Sequence, residues 1–409
     1  MKKLFSILII LLLLTGCGGS TDTTDTTQIA AAVTTPMTWE QIDAIPVAAS
    51  DMTEAELRQI CVDFFRLQLT FQWTPKADFE YSIVTYQKPR EFTSGTVYAG
   101  LPYQGNFNSG SLYTAMLYYD PETGILDNTS MTGQEFSQTF GNHCTSSPYW
   151  AWSRVVNSWS KYTNICLTET YGFLPVGDYS YTTIQWTEDE NTKMVCQTHG
   201  EQKMYECYAL LQPADGIFMF RSLGGNSHCR MVSSHAVVVR NADGTINGEE
   251  SYILFMDQGS GLKDYTAQDG STVQLQGKVD QKATFAELYK STYLPYTFAE
   301  FTGADPVEAG EATISLADNI PVSQLVHGEL NCNYPIAYIE ALVTNSQGET
   351  VYSETTMSGA LDVRQWFLGK LLPISELKEL ANTGDLHLTI RVRISNGQLI
   401  TAYDGTITK

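Results

Sequence analysis

The chain has 409 residues, with 45 acidic and 24 basic side chains and a formal net charge of −21 at pH 7. This excess of negative charge disfavours binding to nucleic acid and to anionic membrane surfaces. Hydrophobic residues make up 43% of the chain and charged residues 17%, which is typical of domains with large cores. Its length predicts about two to three such domains.

The first 17 residues resemble a bacterial lipoprotein signal peptide. Lys2 and Lys3 precede an apolar run over residues 4–14 that is too short to span a bilayer. The following Leu14-Thr15-Gly16-Cys17 resembles a lipobox, in which the cysteine is lipidated and becomes the new N-terminus. We therefore expect Cys17 to anchor the protein at the outer face of the cytoplasmic membrane and to be its only membrane contact. The alternative is an ordinary cleaved signal peptide with a chance cysteine.

Residues 18–38 are small, polar and rich in threonine, which predicts a flexible linker. A helix is then expected from Thr53, because Glu56 follows three residues later and completes a capping box. The apolar residues behind this start recur at helical spacing: Leu57, Ile60, Cys61, Phe64, Phe65, Leu67 and Leu69. Cys61 belongs to this apolar face, so we expect it to be a core thiol.

The pattern changes near residue 305 to short strands of alternating polarity. These strands are expected within residues 311–316, 336–343, 349–352 and 386–393, with turns such as 345–348 between them. They predict a small β-sandwich over residues 305–409. Residues 39–304 mix helices and strands and are expected to form a separate domain, so the predicted fold class is α+β.

Cys144 is the strongest candidate for a nucleophile. It is followed by Thr145, Ser146, Ser147 and Pro148, which are typical of a first helical turn, and then by an aromatic helix-like run. The unpaired N–H groups at a helix start stabilise a thiolate, the reactive form of cysteine. The alternative is a buried structural thiol.

A base for this thiol is expected from His235, which precedes the β-branched run Ala236-Val237-Val238-Val239. A histidine at the start of a buried strand is held rigidly, with one ring nitrogen toward the thiol and the other toward an orienting acceptor. The next predicted strand ends in Asp257 and Gln258, and strand alternation places these two on opposite faces. We favour Asp257, because a carboxylate stabilises an imidazolium better than an amide does, and Gln258 remains the alternative.

Several motifs along residues 95–265 resemble the NlpC/P60 and CHAP superfamily of cell-wall cysteine peptidases and amidases. His143-Cys144-Thr145-Ser146 is similar to the start of the active-site helix in that family, and Leu211-Gln212-Pro213-Ala214-Asp215 is similar to its LQPGD signature. His235 and Asp257 or Gln258 follow in the order of its histidine strand and third-residue strand. Gly100-Leu101-Pro102-Tyr103 is similar to the family's Gly-x-Pro-Tyr element.

The resemblance implies a papain-like domain, in which a helix bearing the cysteine packs on an antiparallel sheet, followed here by an immunoglobulin-like sandwich. It implies that Cys144 attacks an amide of a peptidoglycan stem peptide without a metal or cofactor, and that Tyr103 helps to shape the substrate site. His143 stands where the family usually has aspartate, and Ala214 where it has glycine. His143 is a candidate substrate-binding residue. His143 and His228 could both line the cleft, but adjacency in sequence is the only indication of this.

A second group of cysteines and histidines leaves three alternatives open. Zinc ligands, a disulfide and separate core thiols are each compatible with Cys196, His199, Cys207, His228 and Cys229. Cys196 and Cys207 flank a predicted hairpin, where they would be placed to form the disulfide. Core thiols are the interpretation that we favour, and no metal site is predicted.

The predicted function is that of an anchored cysteine peptidase or amidase whose partners are peptidoglycan or peptides derived from it. The competing hypothesis is a non-catalytic lipoprotein that binds the wall or a glycan and retains a degenerate peptidase fold. The sequence does not predict an oligomeric state.

Overall fold

The structure, a computed structural model, describes residues 36–81, 90–103, 110–129, 131–157, 173–180, 191–220, 227–266, 272–357 and 359–409. The lipidation candidate Cys17 and nearly all of the predicted linker lie outside these residues. Within the described parts of the chain, no helix is long and apolar enough to cross a membrane.

Helices are found mainly in the N-terminal three quarters of the chain. They are α1 (Trp39–Asp43), α2 (Glu54–Thr70), α3 (Leu112–Met116), α4 (Gly133–Phe140), α5 (Ser146–Trp152), α6 (Thr192–His199), α7 (Glu201–Tyr208), α8 (Phe285–Lys290), α9 (Ala299–Thr302) and α10 (Ile374–Leu380). The predicted capping box at α2 is confirmed, since Thr53 accepts from the backbone N–H of Glu56 and the Glu56 carboxylate accepts from that of Thr53. Cys61 is completely buried on the core face of α2, as predicted.

The strands form one large sheet and three smaller ones. They are β1 (Gln72–Pro75), β2 (Phe79–Tyr81), β3 (Arg90–Phe92), β4 (Val97–Ala99), β5 (Tyr119–Asp120), β6 (Ile125–Leu126), β7 (Phe173–Pro175), β8 (Gly216–Phe220), β9 (Ser227–Val232), β10 (Tyr252–Thr266), β11 (Thr272–Thr284), β12 (Leu294–Phe298), β13 (Ala312–Ile314), β14 (Asn319–Pro321), β15 (Glu329–Cys332), β16 (Ile336–Thr344), β17 (Thr350–Met357), β18 (Gln365–Phe367), β19 (Leu386–Ile394) and β20 (Leu399–Thr408). The fold class is α+β.

The large sheet of the N-terminal part has the order β5-β6-β1-β4-β11-β10-β9-β8-β12-β7. Its centre is antiparallel, because β10 pairs with both β11 and β9, and β9 pairs with β8. Helix α2 packs against β10 and β11 and also against α5. The sheet and α2 therefore fix the position of α5, whose N-terminal end follows Cys144.

Two further sheets share one core in the C-terminal part of the chain. One has the order β14-β20-β19-β16-β17 and the other β13-β15-β18. The buried residues between them include Leu330 of β15 and Ile339 and Ile390 of the larger sheet. The strands expected within residues 311–316, 336–343, 349–352 and 386–393 are confirmed as β13, β16, β17 and β19.

The backbone that follows α5 is bound to the C-terminal part. Ser395 Oγ donates to the carbonyl of Ser153 at 3.1 Å, and Arg364 Nη2 donates to that of Asn157 at 2.6 Å. Tyr334 Oη donates to the carbonyl of Val155 at 3.3 Å. Helix α5 is thus attached to the C-terminal sheets at the end opposite to Cys144.

Candidate active site

Cys144 lies in the first turn of the helical segment that contains α5. The earliest i to i−4 hydrogen bond there runs from the Ser147 N–H to the His143 carbonyl at 2.9 Å, so Cys144 follows the capping residue directly. Its side chain is 8% exposed. Within the described residues, no acceptor contacts the backbone N–H of Cys144, which leaves that N–H available to an anion at the sulfur.

His143 is the N-terminal cap of this turn. Its Nδ1 accepts from the backbone N–H of Thr145 at 3.0 Å and from that of Ser146 at 3.2 Å. A nitrogen that accepts these bonds has no proton, so the neutral ring has its proton on Nε2. Asn142 supports the same turn, because its Oδ1 accepts from the His143 N–H at 2.9 Å. The structure therefore places His143 beside the thiol as a capping residue.

The histidine paired with Cys144 is His228, on β9, and not His235. Its Nε2 lies 2.9 Å from Asp257 Oδ2 on the neighbouring strand β10. The imidazole also lies close enough to the Cys144 thiol for the two groups to shift each other's pKa. Because Nε2 is used by the carboxylate, Nδ1 is the nitrogen that remains for the sulfur. Cys144, His228 and Asp257 thus form a continuous chain of thiol, imidazole and carboxylate.

The electrostatics of this chain favour a thiolate and an imidazolium. Burial opposes ionisation of Cys144, but hydrogen bonding by His143 and His228 and the charge of His228 outweigh it and hold the thiol pKa well below its usual range. Burial also opposes protonation of His228, yet its hydrogen bonds to Asp257 and Cys144 raise the His228 pKa to about 9. The two shifts have opposite signs, as expected for an ion pair.

Asp257 is nearly fully buried and is surrounded by cations. Burial raises its pKa, but the hydrogen bond to His228 and the charges of Lys278 and Arg230 produce a net lowering. Arg230 Nε lies 3.1 Å from Asp257 Oδ2, and Lys278 Nζ lies 3.9 Å from the same oxygen. The carboxylate is therefore ionised and oriented beside the imidazole.

Gln258 lies on the opposite side of β10, as the predicted alternation requires. Its Nε2 donates to the carbonyl of Leu101 at 2.6 Å, and its Oε1 accepts from Ser147 Oγ at 3.5 Å. Ser147 Oγ also accepts from Gln68 Nε2 of α2 at 2.6 Å. Gln258 therefore links the start of α5 to the backbone of Leu101. Of the two candidates, Asp257 is the one that contacts a histidine.

Tyr103 lies close to the site through its backbone. It forms a parallel bridge with Asn142, two residues before Cys144, and its N–H donates to Gln276 Oε1 at 3.1 Å. Tyr103 is partly exposed. The structure therefore brings Tyr103, His143, Cys144, His228 and Asp257 into one region.

The prediction of His235 as the base is wrong in this structure. His235 is exposed and lies in an irregular segment, and the following Val237 and Val238 remain 41% and 38% exposed. The β-branched run was expected to be a buried strand, but only isolated bridges such as that of Val237 with Tyr252 form there. The buried strand lies earlier in the chain, at β9, and it carries His228.

The cysteines outside the site are separate core thiols wherever the structure describes them. Cys196 and Cys207 are free and buried, and they lie on α6 and α7, so the predicted hairpin is wrong and the alternative of a disulfide between them is excluded. Within the described residues, no group of three or more histidine, cysteine or acidic side chains is placed to hold a metal ion. His228, considered above as a zinc ligand, instead bonds Asp257.

The segment that resembles LQPGD has a structural role next to the site. Ala214 has a φ of 66°, in the left-handed region that favours glycine. Its carbonyl accepts from Trp152 Nε1 of α5 at 2.7 Å. The buried Asp215 pairs with Arg58 Nη1 of α2 at 2.6 Å. This segment therefore links α2 and α5 to the start of β8.

Comparisons of the chain with family models, with curated proteins and with solved structures give no match.

Proposed function

We propose that the protein is an extracytoplasmic cysteine hydrolase, anchored through Cys17, that cleaves amide bonds in peptidoglycan peptides. The observation that carries this proposal is the chain from Cys144 through His228 to Asp257, with the thiol pKa lowered and the imidazole pKa raised. We also propose that residues 39–304 form a papain-like domain and that residues 305–409 form an immunoglobulin-like sandwich. The cell-wall substrate rests on the motif resemblance and on the lipobox.

The mechanism begins with the ion pair. The Cys144 thiolate attacks the carbonyl carbon of the amide, and the backbone N–H of Cys144 donates to the oxyanion. The His228 imidazolium then gives its proton to the leaving amine, and a thioester to Cys144 remains. Water attacks this thioester and gives a proton to His228, which restores the ion pair and releases a carboxylic acid. Asp257 stabilises the imidazolium and fixes its ring.

Incubation of the purified protein with wall muropeptides tests this function. We expect new amine and carboxylate ends by mass spectrometry, and a loss of at least about 10³-fold in rate for Cys144→Ala. Cys61→Ala is the matched control, because it removes another buried thiol from the same part of the chain. Binding of muropeptides without turnover, equal in wild type and Cys144→Ala, would instead support the competing wall-binding hypothesis.

A further inference from the structure

Basic side chains are concentrated around Asp257 in a chain that is strongly acidic overall. The net charge of the protein is −21, yet one carboxylate oxygen is approached by His228, Arg230 and Lys278. Two of these cations lie on β9 in alternate positions, and Lys278 lies directly opposite Asp257 on β11. A buried carboxylate needs one positive partner for neutrality, so three partners require a further explanation.

Arg230 is held in place by more than its ion pair. Its guanidinium carbon lies 4.0 Å from the ring centroid of Phe255 and 4.7 Å from that of Tyr293. Its Nε donates to Asp257, while Nη1 and Nη2 contact no acceptor within the described residues. The side chain is 17% exposed. The planar guanidinium of arginine places pairs of N–H donors at the spacing of a carboxylate. Arg230 is therefore already oriented to bind an anion in addition to Asp257.

Lys278 supplies a second positive charge on the same side of Asp257. Its Nζ lies 3.9 Å from Asp257 Oδ2 and 5.6 Å from the ring centroid of Phe255, and its side chain is 39% exposed. The thiolate of Cys144 and the imidazolium of His228 cancel each other. Arg230, Lys278 and Asp257 then leave one positive charge in excess, which an anionic group of a substrate would neutralise.

We propose that Arg230 and Lys278 form a carboxylate-binding subsite beside the reactive thiol, and that the substrates are amides with a carboxylate close to the scissile bond. This inference rests on the proposed function, because it describes the substrate of the same site. It adds a property that the motifs do not contain, namely a preference for anionic over neutral acyl compounds.

Alkylation of Cys144 by iodoacetate and by iodoacetamide tests the subsite without a natural substrate. In both reactions the thiolate displaces iodide, and the reagents differ only in a carboxylate or an amide. The readout is the ratio of the iodoacetate rate to the iodoacetamide rate at Cys144, relative to the same ratio for N-acetylcysteine. A ratio cancels any general change in thiol reactivity.

We expect this ratio to be above one for the wild type and to fall about tenfold in Arg230→Gln and less in Lys278→Gln. Arg230→Lys retains the charge and is expected to keep most of the preference. Arg240→Gln is the matched control, since Arg240 is exposed and pairs with Glu206. The wild-type ratio should also decrease with added salt.

A ratio that is unchanged in both Arg230→Gln and Lys278→Gln would overturn the subsite and would restrict the two cations to neutralising Asp257. Lys278→Gln keeps this test decisive if Arg230→Gln fails to fold, because Lys278 is more exposed. Iodoacetamide labelling of wild-type Cys144 no faster than that of Cys61 would overturn the proposed function and the subsite together. Rapid iodoacetamide labelling with no anion preference would overturn the subsite alone.

Discussion

Cys144 and Cys61 are both buried thiols. Cys144 lies just before α5 and Cys61 lies on α2, and these two helices are in contact. At Cys61, burial raises the thiol pKa far above its usual value, and the nearby arginines offset this only in part. At Cys144, burial acts in the same direction, but His143 and His228 reverse it. Hydrogen-bonding partners, rather than exposure, therefore decide which thiol in this core has a lowered pKa.

Removal of the His228 imidazole should abolish the difference in reactivity between Cys144 and Cys61. We expect His228→Ala to lower hydrolysis by about 10²- to 10⁴-fold, because both the general acid and the thiolate partner are lost. The iodoacetamide rate of Cys144 near neutral pH should fall toward that of Cys61. Steady-state turnover and peptide mapping of the alkylated protein measure the two effects.

His235→Ala is the matched control for this change, because His235 is the histidine that the sequence favoured and is exposed in the structure. We expect its rates to stay within about twofold of wild type. A large loss in His235→Ala together with a small loss in His228→Ala would show that the assignment of the base is reversed.

Removal of the Asp257 charge should lower turnover less than removal of the His228 imidazole does. Asp257→Asn keeps the shape of the side chain but loses the charge that raises the His228 pKa. The alkaline limb of the rate profile, where His228 loses its proton, should therefore move to lower pH, and turnover should fall by about 10- to 100-fold. Asp264→Asn, on the same strand and exposed, is the control. An alkaline limb that does not move would show that Asp257 does not act on His228.

Local signals predicted a large part of the fold. The capping box at Thr53 and Glu56 is formed by contacts between residues close in sequence, and so are the hydrogen bonds of Asn142 and His143 before α5. The C-terminal strands also follow from simple alternation. These elements depend on neighbours in sequence, which is why they could be predicted.

The candidate site could be predicted only in part, because its base depends on which strand is buried. Val237 to Val239 have high strand propensity, but Val237 and Val238 remain exposed, and tertiary contacts place β9 in the sheet instead. The alternation of His228 and Arg230 with Cys229 and Met231 was the signal that could have identified β9. Strand alternation allowed only one of Asp257 and Gln258 to orient the histidine, and Asp257 was favoured because a carboxylate stabilises an imidazolium better than an amide does.

Helices α6 and α7 were not predicted from the sequence, because the segment between them was expected to be a hairpin. The segment around Gly200 was interpreted as a hairpin, whereas Asn191 caps α6 and Gly200, with a φ of 80°, separates the two helices. An asparagine that caps the start of a short segment, followed by a glycine at its end, indicates a helix. The alternative of a disulfide between Cys196 and Cys207 depended on that hairpin.

The pH dependence of iodoacetamide labelling at Cys144 and Cys61, measured by peptide mapping, tests directly whether Cys144 is a thiolate near neutral pH. Only the thiolate reacts, and because the Cys144 pKa is lowered, Cys144 forms its thiolate at a lower pH than an ordinary thiol does. We expect rapid labelling of Cys144 already near pH 6, about 2.5 units below an ordinary thiol pKa, and slow labelling of Cys61 throughout. Equal, slow labelling of both thiols near pH 6 would contradict it.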